Sequence, residues 1–251
     1  MDVNDAFWGC SLEELKQGYV QEADRYICLL CGISTEEGII YPEDGRYYDA
    51  RKFMGKHIES KHGSVFDYLI SLDKKLTGLT DHQNSLLRLF YEGTSDDGIR
   101  KELGIGSAST IRNHRFVLKE KERQSRVFLV LMELLKERDR HAPEIVNVHK
   151  TARMVDERYH ITAEETAKTL SKYFPEGPKG PMTTFDVKEK QKLILLRELA
   201  KRFEPQRIYT EKEVNEILAS AYEDYASLRR YLIEYGFMGR QPDGSQYWLK
   251  D

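Results

Sequence analysis

The sequence lacks any hydrophobic run close to the roughly 18 residues that a membrane-spanning helix needs. Its first ten residues carry two aspartates and no basic side chain, so they do not have the positively charged start of a secretory signal peptide. We therefore expect a cytoplasmic protein with no membrane partner.

Cysteine is scarce, with three residues in a chain of 251. In a reducing compartment three cysteines are too few for a disulfide framework, which favours a metal-binding or packing role. The net charge of −3 argues against indiscriminate binding to nucleic acid. It does not exclude a local basic patch, because nearby charges dominate within a Debye length of about 10 Å.

Two cysteines and two histidines have a spacing typical of a zinc site. They form the pairs Cys28-x2-Cys31 and His57-x4-His62. Zinc takes four ligands in a tetrahedron, and Cys-x2-Cys lets a tight turn present two thiolates to one ion. The 25 residues between the pairs exceed the usual loop, so the pattern resembles a C2H2 zinc finger with an enlarged middle. We predict a structural Zn2+ in a small ββα-like module.

Other interpretations of these residues stay open. The cysteines could be packing residues and the histidines surface residues. A catalytic zinc is less favoured, because four protein ligands leave no open position for water. Zinc could also be a sensed ligand, although a four-ligand site is more often structural. Cys10 stands alone and is expected to be an ordinary buried thiol.

The sequence predicts a helix over Thr80–Tyr91, a second over Ser95–Leu103 and a third that starts near Ala108 and meets no breaker before Pro143. Within residues 79–115, the segments Ser95–Ile99, Leu103-Gly104-Ile105 and Ser-Thr-Ile-Arg-Asn-His at 109–114 resemble the DNA-binding domain of LuxR/GerE-type regulators. The turn at 106–108 holds one residue more than that family's pattern. The resemblance implies a helix-turn-helix whose second helix enters DNA.

Local charge supports this interpretation. Residues 109–126 contain six basic and two acidic side chains, an excess that can neutralise phosphates. Arginine and asparagine are the residue types that read base edges. We predict binding of double-stranded DNA, and the alternative is a protein-interaction module with an incidental basic helix. The predicted DNA-contacting residues are Ser109, Thr110, Arg112, Asn113, His114, Arg115 and Lys119.

The late part of the third helix carries apolar residues from Val127 to Leu135. The simplest interpretation is a core helix. A dimer seam is the alternative, and since helix-turn-helix proteins usually dimerise to match two half-sites, we expect a homodimer.

Residues 164–250 resemble a bacterial domain family of unassigned biochemical function that is often attached to transcription regulators. Phe174-Pro175 and the segments 209–215, 224–230 and 243–248 carry the resemblance. A capping box at Thr210 and a hairpin around Asp243-Gly244 predict a winged-helix-like plan. The helix over 186–203 holds six basic and three acidic side chains and could be an accessory contact, but the favoured interpretation is a solvated amphipathic helix.

Residues 204–251 hold six basic and nine acidic side chains. This acidic excess argues against the domain as the main DNA-binding part of the protein. Arg229 and Arg230 are candidate accessory DNA contacts, or they could pair with Glu213 and Glu216. A protein partner or a small ligand is the other expectation for this domain.

The sequence thus predicts a mostly α, multidomain protein in four segments. These are a zinc-binding module (1–70), a helix-turn-helix domain with a long helix (71–140), connecting helices with a linker (141–185), and a winged-helix-like domain (186–251). Three of the seven prolines fall in 172–184, which is expected to be the linker.

The predicted function is a sequence-specific DNA-binding transcriptional regulator that is not an enzyme. The sequence has no glycine-rich phosphate loop, no nucleophile elbow and no catalytic triad or carboxylate pair. The alternatives are a non-enzymatic protein-interaction adaptor and, less favoured, a zinc-dependent hydrolase.

Overall fold

The computed structural model describes residues 3–250, which divide into two compact units. The terminal unit combines the chain up to Leu76 with the chain from Glu144 onward, and the central unit is Thr77–Pro143. Helices dominate both, and the strands form small antiparallel sheets. This confirms the prediction of a mostly α chain with more than one compact unit. No helix among residues 3–250 is both long and apolar enough to cross a membrane.

The first part of the terminal unit is a mixed α and β module. Sheets β1-β2-β3 and β4-β5 are antiparallel, and α3 packs against both. The predicted ββα-like module has more strands than expected, because the long gap between the two ligand pairs folds into β3 and the β4-β5 hairpin. Its elements are α1 (Val3–Gly9), α2 (Leu12–Gln17), β1 (Tyr19–Glu22), β2 (Arg25–Cys28), β3 (Ser34–Glu36), β4 (Ile40–Glu43), β5 (Arg46–Asp49), α3 (Ala50–His62), α4 (Val65–Ser71) and α5 (Lys74–Thr77).

Local capping explains where these helices begin. The Ser11 side chain accepts the backbone N–H of Glu14, whose carboxylate accepts the N–H of Ser11. Asp49 caps α3 in the same way by accepting the N–H of Lys52 at 2.8 Å. Such caps satisfy donors that a helix start leaves unpaired, and each stabilises a helix by about 1 kcal/mol.

The central unit consists of three helices around a small core. They are α6 (Asp81–Tyr91), α7 (Asp96–Leu103) and α8 (Ala108–Arg138), capped by Thr80, Ser95 and Ser107. Gly104 ends α7 with φ +64°, a left-handed conformation that favours glycine. The buried core side chains are Leu86, Leu89, Ile99 and Ile111.

The second part of the terminal unit is built around a buried helix. Four consecutive residues of α10, from Leu193 to Leu196, are buried, so the expectation of a solvated helix was wrong. Strand β8 lies between β6 and β7 in an antiparallel sheet. The elements are a short 3-10 helix (Glu157–Tyr159), α9 (Ala163–Tyr173), α10 (Glu189–Ala200), β6 (Ile208–Tyr209), α11 (Glu211–Ala219), α12 (Tyr225–Glu234), β7 (Met238–Arg240) and β8 (Tyr247–Leu249).

The proline-rich segment 172–184 packs against this core and does not run free as a linker. Phe174 and Met182 are buried in the core, and Met182 donates its N–H to the carbonyl of Ala221 at 2.7 Å. Proline prevents a regular helix here, but the apolar side chains between the prolines still bury their surface.

The two parts of the terminal unit are joined through residues 147–150. The indole of Trp8 donates to the carbonyl of Val148 at 2.7 Å, and the amide of Asn147 donates to Asp5 at 3.2 Å. Segments 1–70 and 186–251, which the sequence analysis placed in separate domains, therefore belong to one compact unit.

His149 is a buried histidine at the centre of this junction. Its Nε2–H donates to the carbonyl of Tyr235 at 3.0 Å, and its ring stacks on Phe237 with centroids 4.0 Å apart. Nδ1 is buried and has no hydrogen-bond partner among residues 3–250. Burial lowers the pKa of His149 from 6.5 to about 4, because the imidazolium form would lose its hydration.

We expect this histidine to make the terminal unit sensitive to mild acid. A base whose pKa is lower in the folded state binds fewer protons there than in the unfolded chain, so stability falls as the pH drops from 6.5 towards 4. Between pH 7 and pH 5 the loss from His149 is about 2 kcal/mol. Both tryptophans, Trp8 and Trp248, lie in the terminal unit, so denaturant titrations followed by tryptophan fluorescence report this unit.

The control is His149→Gln, whose amide can still donate to the Tyr235 carbonyl but does not titrate. With zinc kept saturating, the wild-type protein should lose about 2 kcal/mol more than this variant over that pH interval. Equal losses would show that the titration of His149 does not affect stability.

Candidate metal centre and nucleic-acid interface

The four predicted metal ligands come together at one point of the terminal unit. Cys28 ends β2, Cys31 lies in the turn that follows, and His57 and His62 lie on α3. Their ligand atoms all lie within 4.8 Å of one another. Cys31 Sγ is 3.1 Å from His57 Nε2, and Cys28 Sγ is 3.8 Å from His62 Nε2.

A tight backbone turn places the two thiols. Gly32 donates its N–H to the carbonyl of Cys28 at 2.8 Å, and Cys28 donates to the carbonyl of Ile33 at 2.8 Å. Gly32 has φ +79°, and a Cβ at this position would lie 2.7 Å from a methyl group of Val3. The turn therefore needs glycine for both its backbone conformation and its packing.

The cluster favours the thiolate form of Cys28. A hydrogen bond from Cys31 lowers the pKa of the Cys28 thiol far below 9.0, and hydrogen bonds from both histidines act in the same direction against the opposing effect of burial. The thiolate is the form of cysteine that binds metals. Two sulfur and two imidazole donors this close together could hold a metal ion.

Residues distant in sequence support the turn. The ammonium of Lys150 donates to the carbonyls of Leu29 at 2.8 Å and Leu30 at 3.1 Å, inside the Cys28–Cys31 turn. The amide of Gln206 donates to Cys31 Sγ at 3.4 Å. Neither residue could be found from the sequence, because its spacing from the cysteines carries no local signal.

The predicted DNA-contacting residues lie on the first turns of α8. Some of their side chains contact neighbouring residues, and others are free to contact a ligand. Ser109 and Thr110 have their hydroxyls 2.7 and 2.9 Å from the hydroxyl of the capping residue Ser107. The side chains of Arg112 and Asn113 are exposed, and neither side chain has a hydrogen-bond or ion-pair partner among residues 3–250.

The remaining three residues are engaged with neighbours in the central unit. Arg115 pairs with Asp96 at 2.9 Å and lies 3.7 Å above the ring of Phe90. The imidazole of His114 is 3.3 Å from that of His82. Lys119 pairs with Glu122 at 2.6 Å. Arg115 thus fastens α8 to α6 and α7.

Of the two candidate accessory residues on α12, one is paired with neighbouring side chains and the other is exposed. Arg229 is mostly buried, pairs with Glu211 at 2.7 Å and also bonds to Asn215. Arg230 is exposed and lies near the ring of Tyr231. Arg229 therefore stabilises the packing of α11 against α12.

Comparison with known proteins gives a match for one part of the chain. Residues 181–249 match the DUF2087 family, which is described as an uncharacterized protein conserved in bacteria. This range falls inside residues 164–250, for which the sequence resembles a bacterial family of unassigned function, and outside residues 79–115. No curated protein and no solved structure matches the chain.

We expect the purified protein to retain zinc through this cluster. After dialysis against zinc-free buffer, Cys28→Ser should keep less than about one tenth of the wild-type zinc, because serine supplies no thiolate to the ion. Cys10→Ser is the matched control, since the Cys10 thiol bonds to the carbonyl of Phe7 and lies outside the cluster. Zinc content is measured by plasma mass spectrometry. Equal zinc content in both variants would contradict the assignment of the zinc site to this cluster.

Proposed function

We propose that this protein is a sequence-specific DNA-binding transcriptional regulator stabilised by a structural zinc ion. The observation that supports the proposal most directly is that the side chains of Arg112 and Asn113, on the first turns of α8, are exposed and have no partner within residues 3–250. In helix-turn-helix proteins the N-terminal residues of the second helix contact base edges in the major groove.

The geometry of the central unit supports this proposal. Helices α7 and α8 are joined by a short turn that begins at Gly104, and Ile99 and Ile111 pack these helices together. The order of a capped short helix, a left-handed glycine and a second capped helix is that of a helix-turn-helix. It also agrees with the resemblance of residues 79–115 to LuxR/GerE-type regulators.

The ligand set supports zinc as the metal. Two thiolates and two imidazoles match the donors of structural zinc sites, and four protein ligands complete a tetrahedral shell. We propose no catalytic role, because such a shell leaves no position for an activated water.

We propose that the second part of the terminal unit is a winged-helix-like domain that binds a protein partner or a small ligand. It has the order α10, β6, α11, α12, β7, β8, in which β8 pairs with both β6 and β7. The ion pair that holds Arg229 leaves Arg230 as the candidate accessory DNA contact on α12. An adaptor that binds proteins is the second candidate function, and the exposed apolar residues of α8 favour it.

The test is fluorescence-anisotropy binding of the full-length protein to genomic DNA fragments across a salt series. Arg112→Ala should raise Kd for the tightest-binding fragment by about 5- to 150-fold, because a contact with a base edge is lost, and should leave the slope of log Kd against log salt concentration nearly unchanged. Arg115 is unsuitable for this test, because its loss would also break the pair with Asp96.

The matched control is Lys16→Ala, which removes an exposed cation from α2 in the other unit and should leave Kd unchanged. Equal losses in the two variants would show that α8 is not the reader. A wild-type protein that binds no fragment at low salt, with zinc bound, would refute DNA binding and favour the adaptor.

A further inference from the structure

The second half of α8 carries a large exposed apolar surface, which we call the α8 apolar surface. Eight of the nine residues in 127–135 are apolar, and their exposed fractions range from 37 to 61%. None of them belongs to a buried core cluster in the part of the chain that the structure describes. The eight residues are Val127, Phe128, Leu129, Val130, Leu131, Met132, Leu134 and Leu135.

An apolar helix face is ordinarily buried against another element, so we expect this surface to be covered by one. Soluble monomers rarely expose apolar patches beyond a few hundred Å². From the exposed fractions, the eight side chains present roughly 700–800 Å² per copy, close to the about 800 Å² per partner of a standard protein interface.

We propose that the α8 apolar surface is a homodimer interface whose occupant is the same surface of a second copy of the chain. The available area is close to the per-partner area of a standard interface. Apart from Glu133 the segment 127–135 is apolar, so an identical surface related by a two-fold axis matches it chemically.

The length of α8 links this interface to the proposed function, on which this step rests. Arg112 precedes Leu131 by 19 residues, so at 1.5 Å per residue the two lie about 28 Å apart along the helix. With the two-fold axis at Leu131, the two Arg112 residues lie at most about 57 Å apart. The dimer can therefore span half-sites one helical turn apart, about 34–36 Å, but not two turns apart.

The test is sedimentation-velocity analysis of the full-length, zinc-loaded protein across a concentration series. The wild-type protein should sediment as a dimer that dissociates on dilution. Leu131→Glu keeps a good helix former but places a charge on each side of the two-fold axis, so it should weaken dimerisation at least about 100-fold.

The control is Glu133→Gln, which removes the charge of the one polar residue in 127–135 and should leave the dimer unchanged. Circular dichroism checks that each variant is folded. If Leu131→Glu does not fold, the sedimentation of the wild-type protein across the concentration series is the test of dimerisation.

A wild-type protein that stays monomeric at every concentration overturns the dimer, as does a folded Leu131→Glu that dimerises like wild type. DNA binding is scored separately on the same samples. A monomer that binds DNA refutes only the interface, whereas a dimer that binds no DNA refutes only the regulator function.

Discussion

A buried ammonium group holds the terminal unit together. Lys150 reaches from the second part of that unit to two carbonyls of the turn that presents Cys28 and Cys31. Its ammonium also lies 5.3 Å from the ring centre of Phe7 and 5.8 Å from that of Tyr68. Hydrogen bonds from a charged donor in a buried setting are among the stronger single contacts in proteins. The geometry of the metal centre therefore depends on a residue more than a hundred positions away.

The local features of the fold could be predicted from the sequence. The ligand pairs Cys28/Cys31 and His57/His62 were identified from spacing, because the two members of each pair lie within one turn or one helix. The starts of α6, α7 and α8 were likewise predicted, since caps and glycines act within a few residues. Lys150 and Gln206 could not be found, because only the tertiary fold brings them to the metal ligands.

The errors share a physical cause. Proline and glycine content in 172–184 indicates an irregular backbone, but burial depends on the side chains between those residues, and Phe174 and Met182 enter the core. For α10, the number of charged residues predicted a solvent-exposed helix. Its apolar residues Leu193 to Leu196 instead place it at the centre of the core. Sequence patterns thus described backbone shape better than they described which segments share a core.

The central unit interrupts the terminal unit in the chain, and this has a consequence for biosynthesis. The terminal unit needs Lys150 and strand β8 (Tyr247–Leu249), which the ribosome makes after the whole central unit. The three central helices can therefore fold while translation continues, because all their core residues emerge together. The Cys28–Cys31 turn is made first, but its hydrogen bonds to Lys150 form only after the central unit has been made. Premature termination between residues 143 and 150 would therefore release a complete central unit joined to a Cys28–Cys31 turn that lacks its hydrogen bonds to Lys150.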